Sequence, residues 1–422
     1  MSELQRAWAR SKVGLPAEAT NTTILDETPE EQVEEDDDDE LPELPEHPDD
    51  DSSSASSMSS TGTVIPSPNQ KLFARPQGTY EQIPWTTYFE RELYLQPADK
   101  PEVTYHAYLT SPGDKGPLFV MHHGGGSSGL SFAVVGSEIR KGLPSAGVLS
   151  LDCRGHGSTM SPEGAGRGGG GGGGGGTGQD QDQQLDLRLE TLSADLFSVI
   201  ELTRERMGWP QLPPIILVGH SLGGAVVVDL ARSGRLGASL LGYAVLDIVE
   251  GSAMDALQSM HTYLSTRPAG FASLQSGIEW HLRTRTLRNS ASARTSVPGL
   301  LVHRDGDEAV ADADVGADAS GVSGRPWRWR TNLAATQPFW ENWFVGLSKK
   351  FLEARGGKLL LLAGTDRLDT ELTIGQMQGH FIQEDLPERT AVSLVDFYRR
   401  NDRSTLVLPP KVSDMLAQGK RV

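Results

Sequence analysis

The sequence predicts an α/β fold with a mostly parallel central sheet and helices on both faces, and three short stretches carry that prediction. The first is an apolar run, Ile215-Ile216-Leu217-Val218, which enters Gly219-His220-Ser221-Leu222-Gly223 and leaves through Gly224-Ala225-Val226-Val227-Val228. A buried strand running straight into G-x-S-x-G and then a helix needs a very tight turn. The residues two before and two after the serine must be nearly free of side chain. The second stretch is a short apolar strand, Leu118-Phe119-Val120-Met121-His122, closed by His123-Gly124-Gly125-Gly126. The third, Leu149-Ser150-Leu151-Asp152-Cys153-Arg154-Gly155-His156-Gly157, reads as the next sheet strand and the turn after it.

Together these predict an α/β-hydrolase fold. Ser221 is then the nucleophile, exposed at a strand tip near the positive end of the following helix. The backbone N–H of Leu222 and that of Gly125 or Gly126 are the expected oxyanion donors, because glycines let a donor approach without a side chain in the way. The D-x-R-G-H-G turn reads as structural, so Asp152 and His156 are not catalytic candidates.

Composition bounds the rest. A chain of 422 residues holds two average domains or one larger α/β domain with insertions. Most of the net charge of −18 lies in residues 1–60, which carry 18 acidic and 3 basic side chains. The body is nearly neutral, with no basic excess for phosphate backbones, so nucleic acid is not an expected partner. The acidic run over 30–51 and the serines of 52–60 bury too little apolar surface to fold, and residues 1–75 are expected to be a disordered acidic tail. One cysteine, Cys153, excludes an internal disulfide and fits a reducing compartment. With no apolar leader and no run of the ~18 residues that span a bilayer, no membrane partner is expected, and the chain reads as cytoplasmic or nuclear.

Ordered structure is expected from about Tyr80, with early strands over 89–95 and 103–109. The first part of the core covers 76–250 and includes a glycine-rich loop insertion over 164–184, where nine glycines run from 168 to 176. No G-K-[ST] follows them, so this is not a phosphate loop. Leu189, Leu192, Leu196 and Val199 recur at three- and four-residue spacing and predict a helix that stops near Gly208 and Pro210. Residues 251–354 change character and read as a helical cap insertion. Aromatic-rich helical pieces over 271–282 and 339–351 flank a disordered loop over 304–325. Those aromatics form either a binding surface or packing against the main domain. The second part of the core, 355–422, opens on the strand Lys358-Leu359-Leu360-Leu361-Leu362.

A nucleophilic serine needs a base within hydrogen-bond reach and an acid that fixes the base's tautomer, and in this fold they follow in the order Ser, Asp/Glu, His. Of the late histidines, His261, His281 and His303 fall in the cap. His380 opens His380-Phe381-Ile382-Gln383-Glu384-Asp385-Leu386-Pro387, a turn of the kind that carries the base. Two acids are open on physical grounds: Asp247, which ends the strand after the nucleophile helix, and Asp366, which follows the penultimate strand. The chemistry needs no metal and no organic cofactor.

Five stretches carry a more specific resemblance: Ile83-Pro84-Trp85-Thr86-Thr87-Tyr88-Phe89, the HGGG loop, 219–224, Leu246-Asp247-Ile248-Val249-Glu250-Gly251-Ser252-Ala253-Met254-Asp255-Ala256-Leu257, and 359–377 with its T-I-G-Q-M-Q-G run. From Tyr80 onward the chain resembles the protein phosphatase methylesterase 1 family. The resemblance implies Ser221 as nucleophile, Asp247 as acid and His380 as base. It also implies a partner, the protein phosphatase 2A catalytic subunit, whose C-terminal leucine methyl ester is the substrate.

The chain departs from that family just before the base. Roughly a dozen residues are absent between Gly379 and His380, and no apolar strand remains after Leu362 to return the chain to the sheet. The expectation is a sheet without its final strand, either because the sequence is joined across a lost segment or because the site is distorted. Two further functions stay open on this reading: a catalytically impaired phosphatase-binding or inhibitory protein, and a generic small-ester hydrolase.

Overall fold

The computed structural model describes residues 80–161, 185–304, 324–363 and 380–402. The acidic tail, the 164–184 insertion, residues 305–323 of the cap loop, Asp366 and the chain beyond 402 lie outside the described residues.

The strands are β1 (Arg91–Leu95), β2 (Tyr105–Thr110), β3 (Leu118–His122), β4 (Gly147–Asp152), β5 (Ile215–His220), β6 (Leu240–Leu246) and β9 (Gly357–Leu361), with a separate hairpin of β7 (Leu301–His303) and β8 (Trp327–Trp329). The main sheet has the order β1-β2-β4-β3-β5-β6-β9. β1, β2 and β4 pair antiparallel, and every pair from β4 to β9 is parallel. Parallel strands covered by helices on both faces read as continuous apolar runs, which is why 118–122 and 215–218 were legible. Every residue of β3, β4 and β5 is buried.

The helices are α1 (Ala133–Gly142), α2 (Leu189–Arg206), α3 (Leu222–Ser233), α4 (Glu250–Thr266), α5 (Leu274–Arg283), α6 (Ser290–Leu300), α7 (Trp340–Phe344), α8 (Leu347–Glu353), α9 (Ile382–Asp385) and α10 (Pro387–Asn401). On one face of the sheet, Leu192, Leu196 and Val199 of α2 pack with Ala225, Val226 and Leu230 of α3. On the other, Ala133 and Ile139 of α1 pack with Ala391, Leu394 and Val395 of α10. Each fully buried Leu, Ile or Val adds about 1.5–3 kcal/mol to this core.

The 339–351 segment is not one helix. It breaks at Gly346, whose φ of 71° is left-handed, into α7 and α8. Trp340, Trp343, Phe344 and Leu347 then turn inward and join the α2–α3 side of the core. Packing therefore accounts for these aromatics. The other aromatic-rich piece builds its own small cluster, in which Phe271, Ile278, Val297 and Leu301 are buried and Trp280, Trp329 and Phe381 pack against them.

β9 is the last strand among the described residues, and its outer edge pairs with no further strand there.

Candidate active site

β5 delivers Ser221 on a strained turn. Ser221 has φ 51° and ψ −120°, a conformation that L-residues rarely hold without support on all sides. The flanking glycines are required by contact distance. A Cβ on Gly219 would lie 2.1 Å from the Gly223 carbonyl oxygen, and one on Gly223 would lie 2.1 Å from that of His122. A Cβ on Gly124 would meet Ser221 Cβ at 3.1 Å, so the HGGG loop lies directly against the nucleophile.

The loop itself is held by two histidine rings. His123 donates Nδ1–H to the Gly124 carbonyl at 2.7 Å and accepts the Cys153 N–H on Nε2 at 3.0 Å. His156 has its Nδ1 2.9 Å from the Arg154 carbonyl, and its Nε2 accepts the Gly126 N–H at 2.8 Å. A ring that accepts on one nitrogen and donates on the other is neutral. Burial agrees: it lowers His123 to about 3, with the neighbouring His156 and His122 acting in the same direction, and it lowers His156 as well. The Gly126 N–H is therefore committed to His156, which takes Gly126 out of the expected oxyanion pair and leaves Gly125 with Leu222.

The D-x-R-G-H-G turn is the frame beneath this loop. Asp152 accepts the N–H groups of Gly129 (2.7 Å) and Ser158 (2.8 Å) and pairs with His106 Nδ1 at 2.7 Å. Burial opposes its charge, yet the His106 contact prevails and holds its carboxyl at about 2. Arg154 makes two contacts to the buried Asp195, at 2.9 and 3.0 Å. These groups face inward, as the structural reading of the turn expects.

Asp247 and His380, the expected acid and base, meet beyond the end of β6. Asp247 follows β6 with φ 53°. Its N–H donates to the Leu361 carbonyl at the end of β9. Its Oδ1 accepts the Ala363 N–H at 2.8 Å, and Oδ2 lies 2.8 Å from His380 Nδ1. Since Oδ2 of a carboxylate accepts, Nδ1 donates to it, which leaves Nε2 as the ring nitrogen pointing away from Asp247. The His380 backbone carbonyl accepts from His220 Nε2 at 2.8 Å, and the two rings stand 4.5 Å apart. Burial keeps His220 neutral, well below its ordinary range, with His380 pushing in the same direction. Of the two acids open in the sequence, the described geometry joins Asp247 to the base, while Asp366 lies outside it. Among the described hydrogen bonds, none links the His380 ring to Ser221; free hydrolases often hold this contact long until substrate is bound.

Sequence reasoning missed the Ala363 amide behind Asp247 and the His156 ring behind Gly126. Neither leaves a local signal, since both are backbone contacts made across the fold.

The α/β hydrolase family matches residues 119–396. Protein phosphatase methylesterase 1 of Gibberella zeae is 65% identical over the whole of both chains, and that of Neurospora crassa 63% identical over the whole of both. The chain belongs to the protein phosphatase methylesterase 1 family. The family extends to Schizosaccharomyces pombe, whose methylesterase is 39% identical over 78% of this chain and 87% of its own. The match to the Gibberella methylesterase runs over 438 positions, more than the 422 residues here, so that methylesterase has positions with no counterpart in this chain. Among solved structures, E-2-(acetamidomethylene)succinate hydrolase aligns at a TM-score of 0.49, with 15% identity over 73% of this chain and 99% of that one. The chain is a serine ester hydrolase by family.

Proposed function

We propose that this chain removes the methyl ester from the C-terminal leucine of the protein phosphatase 2A catalytic subunit, acting through Ser221, His380 and Asp247. The observation that carries the reading is the Asp247–His380 hydrogen bond of 2.8 Å. Leu361 at the end of β9 and Ala363 just after it support Asp247 directly.

In this mechanism His380 Nε2 takes the Ser221 proton as Oγ attacks the ester carbonyl. Asp247 stabilises the imidazolium that forms. The N–H groups of Leu222 and Gly125 receive the oxyanion, next to the N-terminus of α3. The imidazolium returns its proton to the leaving methoxide, and methanol departs. Water then gives a proton to His380 as its oxygen attacks the acyl carbonyl; the imidazolium returns that proton to Ser221 Oγ and the leucine carboxylate is released. Each group named belongs to this chain.

Among the described residues no helix is long and apolar enough to cross a membrane. On this proposal the partner is met in the cytoplasm or nucleus, a reducing setting that fits the single cysteine Cys153.

A second reading has one observation in its favour. With no hydrogen bond joining His380 to Ser221, a protein that binds the phosphatase without turning over its ester fits the same coordinates. Methanol release from methylated phosphatase separates the two. The Ser221→Ala protein should lose turnover and keep phosphatase binding if the esterase reading holds; a wild-type chain that binds and releases no methanol would overturn it.

A further inference from the structure

Glu384 and Asp385, shortly after the base segment, hydrogen-bond to α6 and to the residue just ahead of it. Glu384 is fully buried, and its Oε2 accepts from Ser296 Oγ of α6. Its backbone carbonyl accepts from Ser292 Oγ, also of α6, at 2.7 Å. Asp385 Oδ1 accepts the Arg288 N–H at 2.7 Å, just ahead of α6. Gln383 is fully buried, with neither end of its amide partnered. Between these residues and His380, the Phe381 ring packs on the Phe271–Trp329 cluster of the cap. On its other side the His380 carbonyl is held by His220, next to the nucleophile. The base therefore sits on a short bridge between the elbow and α6.

We propose that Glu384, as an uncharged carboxylic acid, is a positioning residue that fixes the His380 segment against cap helix α6. The mechanistic site above is assumed, since Glu384 acts through His380 and does not touch substrate.

The surroundings support the neutral form. Burial pushes the Glu384 carboxyl up to about 8; the Ser296 hydrogen bond opposes this and the Asp385 charge adds to it. Asp385, on the same helix, is the charged neighbour acting on it among the described residues. α6 meets it with Ser292 and Ser296, and the buried residues of the 129–132 turn are Gly129, Leu130, Ser131 and Phe132. The buried face of α1 holds Ala133, Val134, Val135, Gly136 and Ile139, and that of α10 holds Pro387, Thr390, Ala391, Leu394, Val395, Phe397 and Tyr398, all uncharged at neutral pH. Ionisation would leave a carboxylate in this site with no cation to meet it, and parting α9 from α6 is the relief open to it. That movement carries His380 with it, and a shift of ~1 Å at a catalytic group costs on the order of a hundredfold.

The test uses the full chain as wild type, Glu384→Gln, Glu384→Ala and Ser296→Ala. A fluorophosphonate probe reports the reactivity of Ser221, and a methyl-esterified leucine peptide gives kcat and KM, both followed from about pH 6 to about pH 10, across the Glu384 titration. Glu384→Ala should lower kcat tenfold to on the order of a hundredfold with KM little changed. Glu384→Gln, which imitates the neutral acid, should rescue that loss and shift the fall in rate above about pH 8 to higher pH. Should Glu384→Ala fail to fold, Ser296→Ala removes the same hydrogen bond from the other side and should show a smaller kcat loss of the same kind. A Glu384→Gln profile that superimposes on wild type at high pH, or a Glu384→Ala or Ser296→Ala kcat equal to wild type, overturns the proposal. Ser221→Ala is run beside them: if it is still labelled and still turns over, the triad reading fails instead.

Discussion

The nucleophile half and the base half of this site are built differently. Ser221 sits in a close-packed corner where Gly219, Gly223 and Gly124 each face atoms within about van der Waals contact, and where neutral His123 and His156 lock the loop opposite. His380 and Asp247 are held by a few long-range hydrogen bonds at the open end of the sheet, beside an edge strand. The first half is rigid because the backbone leaves it no alternative. The second holds its place only while β9, the elbow and the cap all stay put.

Substitutions can sharpen that contrast. The largest effect is expected at Ser221→Ala, on the order of a millionfold in kcat, the size of nucleophile loss in subtilisin. Asp247→Asn follows at on the order of 10⁴-fold, because an amide in that position favours the wrong imidazole tautomer; single-turnover rates would check it. A Gly124→Ala change drives a methyl against His220 Nδ1 at 3.0 Å and Ser221 Cβ at 3.1 Å, and a loss on the order of a hundredfold is expected with the fold retained. Gly223→Ala is different in kind. Its methyl would meet backbone at 2.1 Å, so stability should fall by about 1–3 kcal/mol or more in urea unfolding. If Gly124→Ala and Gly223→Ala were as active and as stable as wild type, the rigid half would not be rigid.

The last effect concerns pH and is read as a slope. The folded state raises Glu384 from the ordinary 4.5 to about 8, so between those values the folded chain holds a proton that the unfolded chain has released. Stability from this group is present at low pH and is lost as pH rises through that window, with a slope of at most about 1.4 kcal/mol per pH unit. Glu384→Gln should flatten the unfolding free energy across the same window. An unchanged slope would mean that Glu384 is ionised in the folded protein.

How much of this was legible follows the same division. Buried parallel strands write themselves as apolar runs, and glycines at contact distance cannot be replaced, so β3, β5, the elbow and the HGGG loop were readable from local sequence. The choice between Asp247 and Asp366 was not legible on physical grounds, because two strand ends offer an aspartate; the described geometry places Asp247 at His380. Gly126 was indistinguishable from Gly125 until His156 was seen to take its N–H, a contact spanning thirty positions. The aromatics of 339–351 gave no sign of which way they face, since a buried Trp and a binding Trp have the same spacing. Trp343 is anchored inward by a hydrogen bond from its ring N–H to the Leu187 carbonyl, far off in sequence.

The most direct test of the central claim is a single-turnover assay of methanol release from phosphatase 2A catalytic subunit methylated at its C-terminal leucine, using wild-type chain with Ser221→Ala and His380→Ala beside it. One methanol released per site by wild type, with both variants silent, is the result predicted for an assembled triad. Tight binding without methanol release by the wild-type chain would contradict it.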